Sequence, residues 1–226
     1  MFSIVVFAKN EGENVSFVVN ELLQKYPADR IIFVLDGEID PAVNILSEKG
    51  IKFIKGPDKG KGAAIRTAIN NIDSDILVLM DADGSHSPGE INDLLNPLTD
   101  DMVTMVIGSR FLGSSEELYD NVFNRIRCLG NAFGNIIINS LWNRTGKNIT
   151  DAQNGFRSIR RVDFLALDIE ENSFSIEQEM VIKCLKKGYK ISEVPSFERK
   201  RKFGRSHISA KHIIDYVGCI IRNIVR

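Results

Sequence analysis

With 226 residues, 43% of them hydrophobic and 26% charged, the chain has an ordinary globular composition and enough apolar material for one sizeable core. A formal net charge of −1 excludes the global basic field of a nucleic-acid binder, so nucleic acid is not an expected partner. The three cysteines, Cys128, Cys184 and Cys219, are odd in number and lack metal-type spacing, which excludes a disulfide framework and suits a reducing compartment.

In chain order, short β-branched runs alternate with helical periodicity. The runs are "SIVVFA" (Ser3–Ala8), "IIFVL" (Ile31–Leu35), "IKFI" (Ile51–Ile54), "DILVLM" (Asp75–Met80) and "MVTMVIG" (Met102–Gly108). Between them, Ala64, Ile65, Ala68, Ile69 and Ile72 repeat at the spacing of an amphipathic helix. Such alternation predicts βαβ units, hence an α/β fold with a mostly parallel central sheet and helices on both faces. After about residue 110 the rhythm changes to a long helix over Asn121–Trp142, a Gly-bearing loop, a helix near Ile176–Lys187 and a strand near Tyr189–Val194. The segment 208–226 is amphipathic, with Ile213, Ile214, Val217, Ile220, Ile221 and Ile224 on one broad face. It suits packing on the core or pairing in a dimer better than lying on a membrane, though that third use stays open. No window reaches the roughly 18 apolar residues of a spanning helix, which predicts a cytoplasmic, non-spanning protein.

The informative stretch is "DILVLMDADGSHSPGEI". An apolar run, Ile76–Met80, stops at two aspartates one residue apart, Asp81 and Asp83. Ser87-Pro88-Gly89-Glu90 reads as a capping box, with Ser87 at the N-cap, Pro88 at the first helical position and Glu90 reaching back. Asp81 to His86 is then a loop at the carboxyl end of a parallel strand, where ligands bind open α/β sheets. Two carboxylates at i and i+2 on extended chain point the same way and repel unless a cation or donor network compensates them. Few hard oxygen ligands favour Mg²⁺ or Mn²⁺, whose shells are completed by water and substrate phosphates.

The Gly-rich "KGPDKGKGAAI" (Lys55–Ile65) follows a strand and opens a helix, the setting of a phosphate cradle. It is one residue too short for a Walker A loop and lacks that loop's Ser or Thr, which argues against a P-loop NTPase. The glycines serve either a turn or direct nucleotide contact.

In order along the chain, "VVFAKNEGENV", "IIFVLDGEID", "GKGAAIRTAIN", "MDADGSHSPGEI", "VIGSRF", "DAQNGFRSIRR" and "SIEQEMVIKCLKKGYKISEVP" with "RKFGRSH" resemble the motifs of the family-2 glycosyltransferases of the GT-A fold, within them the dolichyl-phosphate mannose synthase and polyprenyl-phosphate glycosyltransferase branch. The resemblance implies one GT-A domain over 1–226, with a nucleotide-sugar half over about 1–110 and an acceptor half over about 111–226. It implies an inverting hexosyltransferase that moves one sugar from a GDP-mannose or UDP-glucose type donor, using Mg²⁺ or Mn²⁺. By the same resemblance Ala8, Asn10, Glu11 and Asp36 contact the nucleotide, as do Lys61, Asp81, Ala82 and Asp83, with Asp81 and Asp83 at the metal. Asp83, Arg201 and Glu179 are the implied catalytic set, in which Arg201 assists the leaving diphosphate and Glu179 is the base where the acceptor is a hydroxyl. Arg110, Arg127, Asn131, Asp151 and His207 are the implied acceptor side.

Four departures bear on specificity. Leu35 replaces the first acid of an expected pair, Ser85 replaces a metal-assisting glutamine, His207 replaces a lysine, and the Q-x-x-R-W signature of processive synthases is absent. The expected acceptor is a polyprenyl phosphate at a membrane surface, which places the protein on the cytoplasmic face, with a homodimer or a separate membrane anchor protein as partner. The alternatives are a sugar or other hydroxyl acceptor, a sugar-1-phosphate nucleotidyltransferase, whose G-x-G-T-R type turn is missing from "FAKNEGEN", and a non-catalytic nucleotide-sugar binding protein.

Overall fold

The computed structural model describes residues 1–9, 11–36, 42–118, 120, 122–202 and 210–225, except the side chains of residues 123 and 210–212. Asn10 and His207, both expected at the site, lie outside the described residues.

The elements run β1 (Phe2–Ala8), α1 (Gly12–Leu23), β2 (Ile31–Leu35), α2 (Ala42–Glu48), β3 (Lys52–Lys55), α3 (Lys61–Asn71), β4 (Ile76–Asp81), α4 (Ile91–Leu95), β5 (Val103–Ser115), α5 (Val122–Trp142), β6 (Arg157–Arg160), α6 (Arg161–Ala166), α7 (Ile176–Lys186), β7 (Lys190–Glu198) and α8 (Ala210–Val225). One seven-stranded sheet has the order β3-β2-β1-β4-β6-β5-β7. Its pairs are parallel except those of β6, which runs antiparallel to β4 and β5.

Strand alternation divides the core between the two faces of the sheet. Ile4, Val6 and Ala8 of β1 join Phe33, Leu35, Val78 and Met80 under α1 and α4. Val5 and Phe7 join Leu77, Leu79, Met105 and Ile107 under α3 and α7, where Ala64, Ile65, Ala68 and Ile69 form the expected buried stripe. Each fully buried Val, Leu or Ile contributes about 1.5–3 kcal/mol of transfer free energy, so these paired layers fix the strand ends against which the site is built. Register then sets Phe7 beside Asp81 and Leu35 beside Lys55.

Three expectations need adjustment. The capping box forms by half: Ser87 Oγ accepts the Gly89 N–H at 3.2 Å, but Glu90 turns away to accept Ser196 Oγ–H at 2.7 Å and the Phe197 N–H at 3.1 Å, tying this turn to β7. Strands β5 and β7 extend well past the apolar runs that announced them, because their pairing continues through a register shift between Ser109 and Ser114. On α8 the broad apolar face divides, since Cys219 and Asn223 are buried and Ile220 packs on the core while Ile213, Ile214, Val217, Ile221 and Ile224 are exposed. Among the described residues no helix is long and apolar enough to cross a membrane.

Candidate active site

The carboxyl ends of β1, β2 and β4 open into a cavity of about 420 Å³ lined by Ala8, Glu11, Asp36, Lys61, Asp81, Ala82, Asp83 and Arg201, among others. Lys61, Asp81, Asp83, Phe174 and Arg201 also line a second, small cavity of about 60 Å³, reached by Arg110, Arg127, Glu177 and Tyr216. The structure therefore brings the expected donor residues that it describes to one cavity and the two expected arginines to its neighbour.

At the outer end Asp36 is buried and accepts the Asp58 N–H at 2.7 Å, while Lys9 Nζ lies 2.6 Å from Asp58 Oδ1 and 3.6 Å from Asp36 Oδ2. The Gly-rich segment owes its glycines to close approach. A Cβ on Gly56 would stand 2.7 Å from the Asp36 carboxylate, and one on Gly62 would stand 2.1 Å from the Glu171 carbonyl oxygen. The glycines thus let this turn slide beneath the 171–172 backbone and present Lys61 to the cavity.

Lys61 is the hub between the two cavities. Its Nζ lies 2.7 Å from Asp81 Oδ1, 2.8 Å from Asp81 Oδ2 and 2.7 Å from Glu177 Oε1. Burial opposes its charge, but the Asp81 and Glu177 carboxylates outweigh that and hold the ammonium protonated well above the ordinary lysine range. Asp83 has a different setting. Its Oδ1 accepts from Ser85 N–H at 3.0 Å and Ser85 Oγ–H at 2.7 Å, and its Oδ2 lies 3.2 Å from the Arg201 guanidinium. Burial opposes ionisation there too, yet Arg201 and the Ser85 donors hold the carboxyl below the usual aspartate value. Arg201 is carried by a strap that is tied to the aspartate loop: Arg199 N–H donates to Ser85 O at 2.8 Å and Lys202 N–H to Asp83 O at 3.3 Å.

The donor set fits a divalent cation of the kind that shares its shell with substrate. Among the described residues no group of three His, Cys, Asp or Glu side chains is arranged to hold an ion, so the protein offers two hard carboxylates rather than a cage. Asp81 has both oxygens on Lys61, and Asp83 has Oδ1 on Ser85 and Oδ2 on the Arg201 guanidinium, so each carboxylate stands at the cavity wall against a cationic side chain.

On the acceptor side, two expected residues bind each other. Arg110 is buried and grips Asp151 with Nε–Oδ2 at 2.7 Å and Nη2–Oδ1 at 2.9 Å, and Glu198 with Nη1–Oε1 at 3.2 Å. Arg127 differs: it is half-buried at the wall of the small cavity and forms no hydrogen bond or ion pair among the described residues. Burial, and then the like charge of Arg110, lower its pKa, so its charge is under-compensated. Asn131, one turn on, likewise forms no hydrogen bond among the described residues, whereas Asn135 and Asn139 hold the 149–152 loop through the Ala152 N–H at 3.2 Å and the Ile149 N–H at 2.8 Å.

Glu179, the expected base, does not face the cleft. Its carboxylate accepts the Glu171 N–H at 2.8 Å and the Glu170 N–H at 3.1 Å, and pairs with Lys183 at 2.9 Å. The glutamate of "SIEQEM" that reaches the site is Glu177, two residues earlier. Positions i and i+2 lie about 200° apart around a helix, so only one of the two can face the cleft, and the spacing alone does not say which. Sequence reasoning also passed over His86, which is buried with its ring stacked on Phe156 at 4.7 Å, and Tyr216, which reaches the small cavity from α8.

A mostly parallel sheet with paired aspartates at a strand tip, facing a lysine and an arginine across a cavity of nucleotide size, defines a GT-A type nucleotide-sugar transferase. The fold matches glucosyl-3-phosphoglycerate synthase from Mycobacterium tuberculosis with a TM-score of 0.74 at 16% identity, over 99% of this chain and 79% of that one. Residues 3–166 match the profile of glycosyl transferase family 2, and the chain belongs to that family and is a glycosyltransferase. It is 28% identical to glycosyltransferase AglJ of Haloferax volcanii, over 83% of this chain and 59% of that protein. It is 27% identical to the UDP-N-acetylglucosamine--dolichyl-phosphate N-acetylglucosaminyltransferase of Methanococcus voltae, over 85% of this chain and 83% of that one.

Proposed function

We propose that this enzyme transfers one sugar from a nucleoside-diphosphate sugar to the phosphate of a polyprenyl monophosphate, in a single displacement that inverts the anomeric centre. The observation that carries the reading is Arg127: a half-buried guanidinium without a partner among the described residues, in a small cavity that shares Lys61, Asp83 and Arg201 with the donor cavity. A lipid phosphate oxygen is already anionic at neutral pH and needs positioning by a cation rather than deprotonation. Arg127 is available for that task. Arg110 is committed to Asp151 and Glu198, and so acts by holding the cavity wall in place.

On the donor side, Asp36 receives the nucleoside end and Asp83, with Asp81 nearby, would hold Mg²⁺ or Mn²⁺ against the diphosphate. The cation supplies charge neutralisation of the leaving group. Arg201, beside Asp83, adds a second positive group at the same place, where preorganised charge counts most because the site is screened from water. The relative from Methanococcus voltae, named for a UDP-sugar and a dolichyl phosphate, supports this pairing of donor and acceptor.

A second reading, a hydroxyl acceptor, is favoured by one observation: Glu177 is buried beside the cavity, and its Oε2 has no hydrogen-bond partner among the described residues. Three variants separate the two. For a lipid phosphate, Arg127→Ala should raise KM for polyprenyl phosphate by roughly 10- to 100-fold, the loss of a charge-assisted contact worth about 1.5–3 kcal/mol, with donor affinity nearly unchanged. Glu177→Gln should then keep most of kcat, and Glu179→Gln should retain activity while losing stability. An inactive Glu177→Gln beside an unaffected Arg127→Ala would establish the hydroxyl acceptor instead. Inversion is read separately, by proton NMR of the first-formed product from an α-linked donor: a β anomer is expected, and an α anomer rules out single displacement.

A further inference from the structure

At the outer end of the donor cavity stands a buried carboxylate whose two oxygens have different surroundings. Asp36 Oδ1 is turned to the backbone: it accepts the Asp58 N–H at 2.7 Å, and Gly56 lies so close that a Cβ there would stand 2.7 Å from it. Asp36 Oδ2 forms no hydrogen bond among the described residues, and Lys9 Nζ is 3.6 Å from it, too far for one. The lysine is fixed at that place by Asp58, whose Oδ1 it meets at 2.6 Å. Asp58 has a φ of +51°, a left-handed backbone that aspartate adopts more readily than most residues. With that backbone it gives its N–H to Asp36 and its carboxylate to Lys9.

One free carboxylate oxygen beside a fixed cation has a definite complement: a ring N–H flanked by a carbonyl oxygen. Among the nucleobases, uracil presents this pattern at N3–H, with O2 and O4 on either side. Cytosine and adenine have a lone-pair nitrogen at the corresponding place and an amino group beside it, so they would set a lone pair against the carboxylate and a donor against the ammonium. Guanine has N1–H and O6, but its amino group lies next to N1–H and requires a second acceptor. Among the described residues the other acids of this cavity are engaged elsewhere, Glu11 by Asn14, Asp81 by Lys61 and Asp83 by Arg201. Position 35, next to Asp36, is a leucine buried in the core. The guanine amino group would therefore leave water without gaining a carboxylate partner.

We propose that the donor is a uridine-diphosphate sugar, with Asp36 Oδ2 accepting the uracil N3–H and Lys9 donating to the adjoining carbonyl oxygen. This rests on the reading above that the cavity takes a nucleoside-diphosphate sugar, and it selects one of the two donor types that the family resemblance leaves open. Lys9 and Asp58 become specificity residues, the first by touching the base and the second by positioning the first.

Calorimetry of the full chain with UDP, GDP, CDP and ADP in the presence of Mn²⁺ tests the assignment. UDP should bind more tightly than GDP by roughly 10- to 100-fold, and more tightly than CDP and ADP by at least as much. Asp36→Asn keeps an oxygen for the Asp58 N–H and turns an amide N–H₂ to the cavity. Its affinity for UDP should fall by roughly tenfold or more, while that for CDP, whose N3 accepts such a donor, should not fall. Lys9→Met changes a side chain that is half exposed, so its folding is not at issue, and it should lower the UDP-over-CDP ratio by roughly three- to tenfold. GDP binding as tightly as UDP overturns the assignment. So does an equal loss of affinity for all four nucleotides in the variants, because a merely structural role leaves the ratios unchanged. A preference for UDP with no transfer to polyprenyl phosphate from any UDP-sugar refutes the lipid acceptor and leaves the base assignment standing. Transfer to polyprenyl phosphate from GDP-sugars alone does the reverse, and binding of no nucleoside diphosphate overturns both.

Discussion

Asp83→Ala should lower sugar transfer by roughly 10³-fold or more, because one side chain anchors both the proposed cation and the charge pattern that receives the leaving diphosphate. Alanine leaves Ser85 without its acceptor and Arg201 with Glu117 as its remaining carboxylate, at 3.5 Å from Nε. The cost to stability should be modest, about 1–3 kcal/mol, since Arg201 stays paired. Calorimetry supplies a readout independent of turnover: Mn²⁺-dependent affinity for a nucleoside diphosphate should disappear. Unchanged metal-dependent affinity in a folded variant would remove Asp83 from the cation site. Asp81→Ala should behave differently, because it strips Lys61 of one of its two carboxylates and perturbs the hub between the cavities as well as the donor site.

Arg110→Ala should be the most destabilising single change among the expected acceptor residues. It leaves Asp151, fully inaccessible, and Glu198, nearly so, as buried carboxylates that have lost their counter-ion. Removing one partner of a buried ion pair costs about 3–5 kcal/mol, a fall in Tm of roughly 10 °C for a chain of this length. The pH dependence has a definite sign. Burial would raise the Glu198 pKa, but Arg110 and then His86 bring it below the ordinary glutamate value. A depressed carboxylate contributes stability above its unfolded pKa and loses it as pH falls through the folded one. Without Arg110 the largest counterweight to burial is gone, so Glu198 takes up its proton sooner in the variant. The gap in Tm between wild type and variant should therefore be widest near neutral pH and narrow as the solution is acidified towards the carboxylate range. Thermal melts at a series of pH values check this. An unchanged Tm with a large rise in acceptor KM would return Arg110 to the direct acceptor role that the family resemblance implied.

The difference between Arg110 and Arg127 shows where sequence reading stops. Both are arginines in motifs that resemble an acceptor site, and nothing in their neighbours distinguishes a cation that binds substrate from one that braces a wall. The distinction lies in long-range contacts, 41 and 88 residues away for Arg110, which no local pattern encodes. Glu177 and Glu179 repeat the lesson on one turn of helix, where a rotation of about 200° separates a cleft residue from one that fastens the 170–171 backbone. The aspartate loop was legible because a hydrophobic strand ending in two acids is locally improbable, and its position at the sheet's carboxyl edge follows from the parallel topology. Strand β6 was not legible: "RSIR" has neither length nor alternation, and it is held by antiparallel pairing with β4 on one side and β5 on the other, contacts that no local pattern encodes. The asparagines at 135 and 139 did carry a signal, a polar residue recurring at helical spacing among the apolar residues of the second half of α5. It is intelligible once the 149–152 loop is seen to need donors and acceptors.

The burial of Cys219 gives α8 a chemical clock. Its sulfur lies on the inward side of that helix, fully inaccessible, and burial pushes the thiol up to about 12, so the closed chain offers an alkylating reagent neither access nor thiolate. Modification at this position must wait for the helix to lift. Its rate at neutral pH then measures how often α8 leaves the body of the protein, against the slower rate set by global unfolding at Cys184, which lies on the buried side of α7. Without any introduced label, the chain reports the detachment of a helix that reaches the sugar-transfer cleft through Tyr216 and turns apolar side chains to solvent.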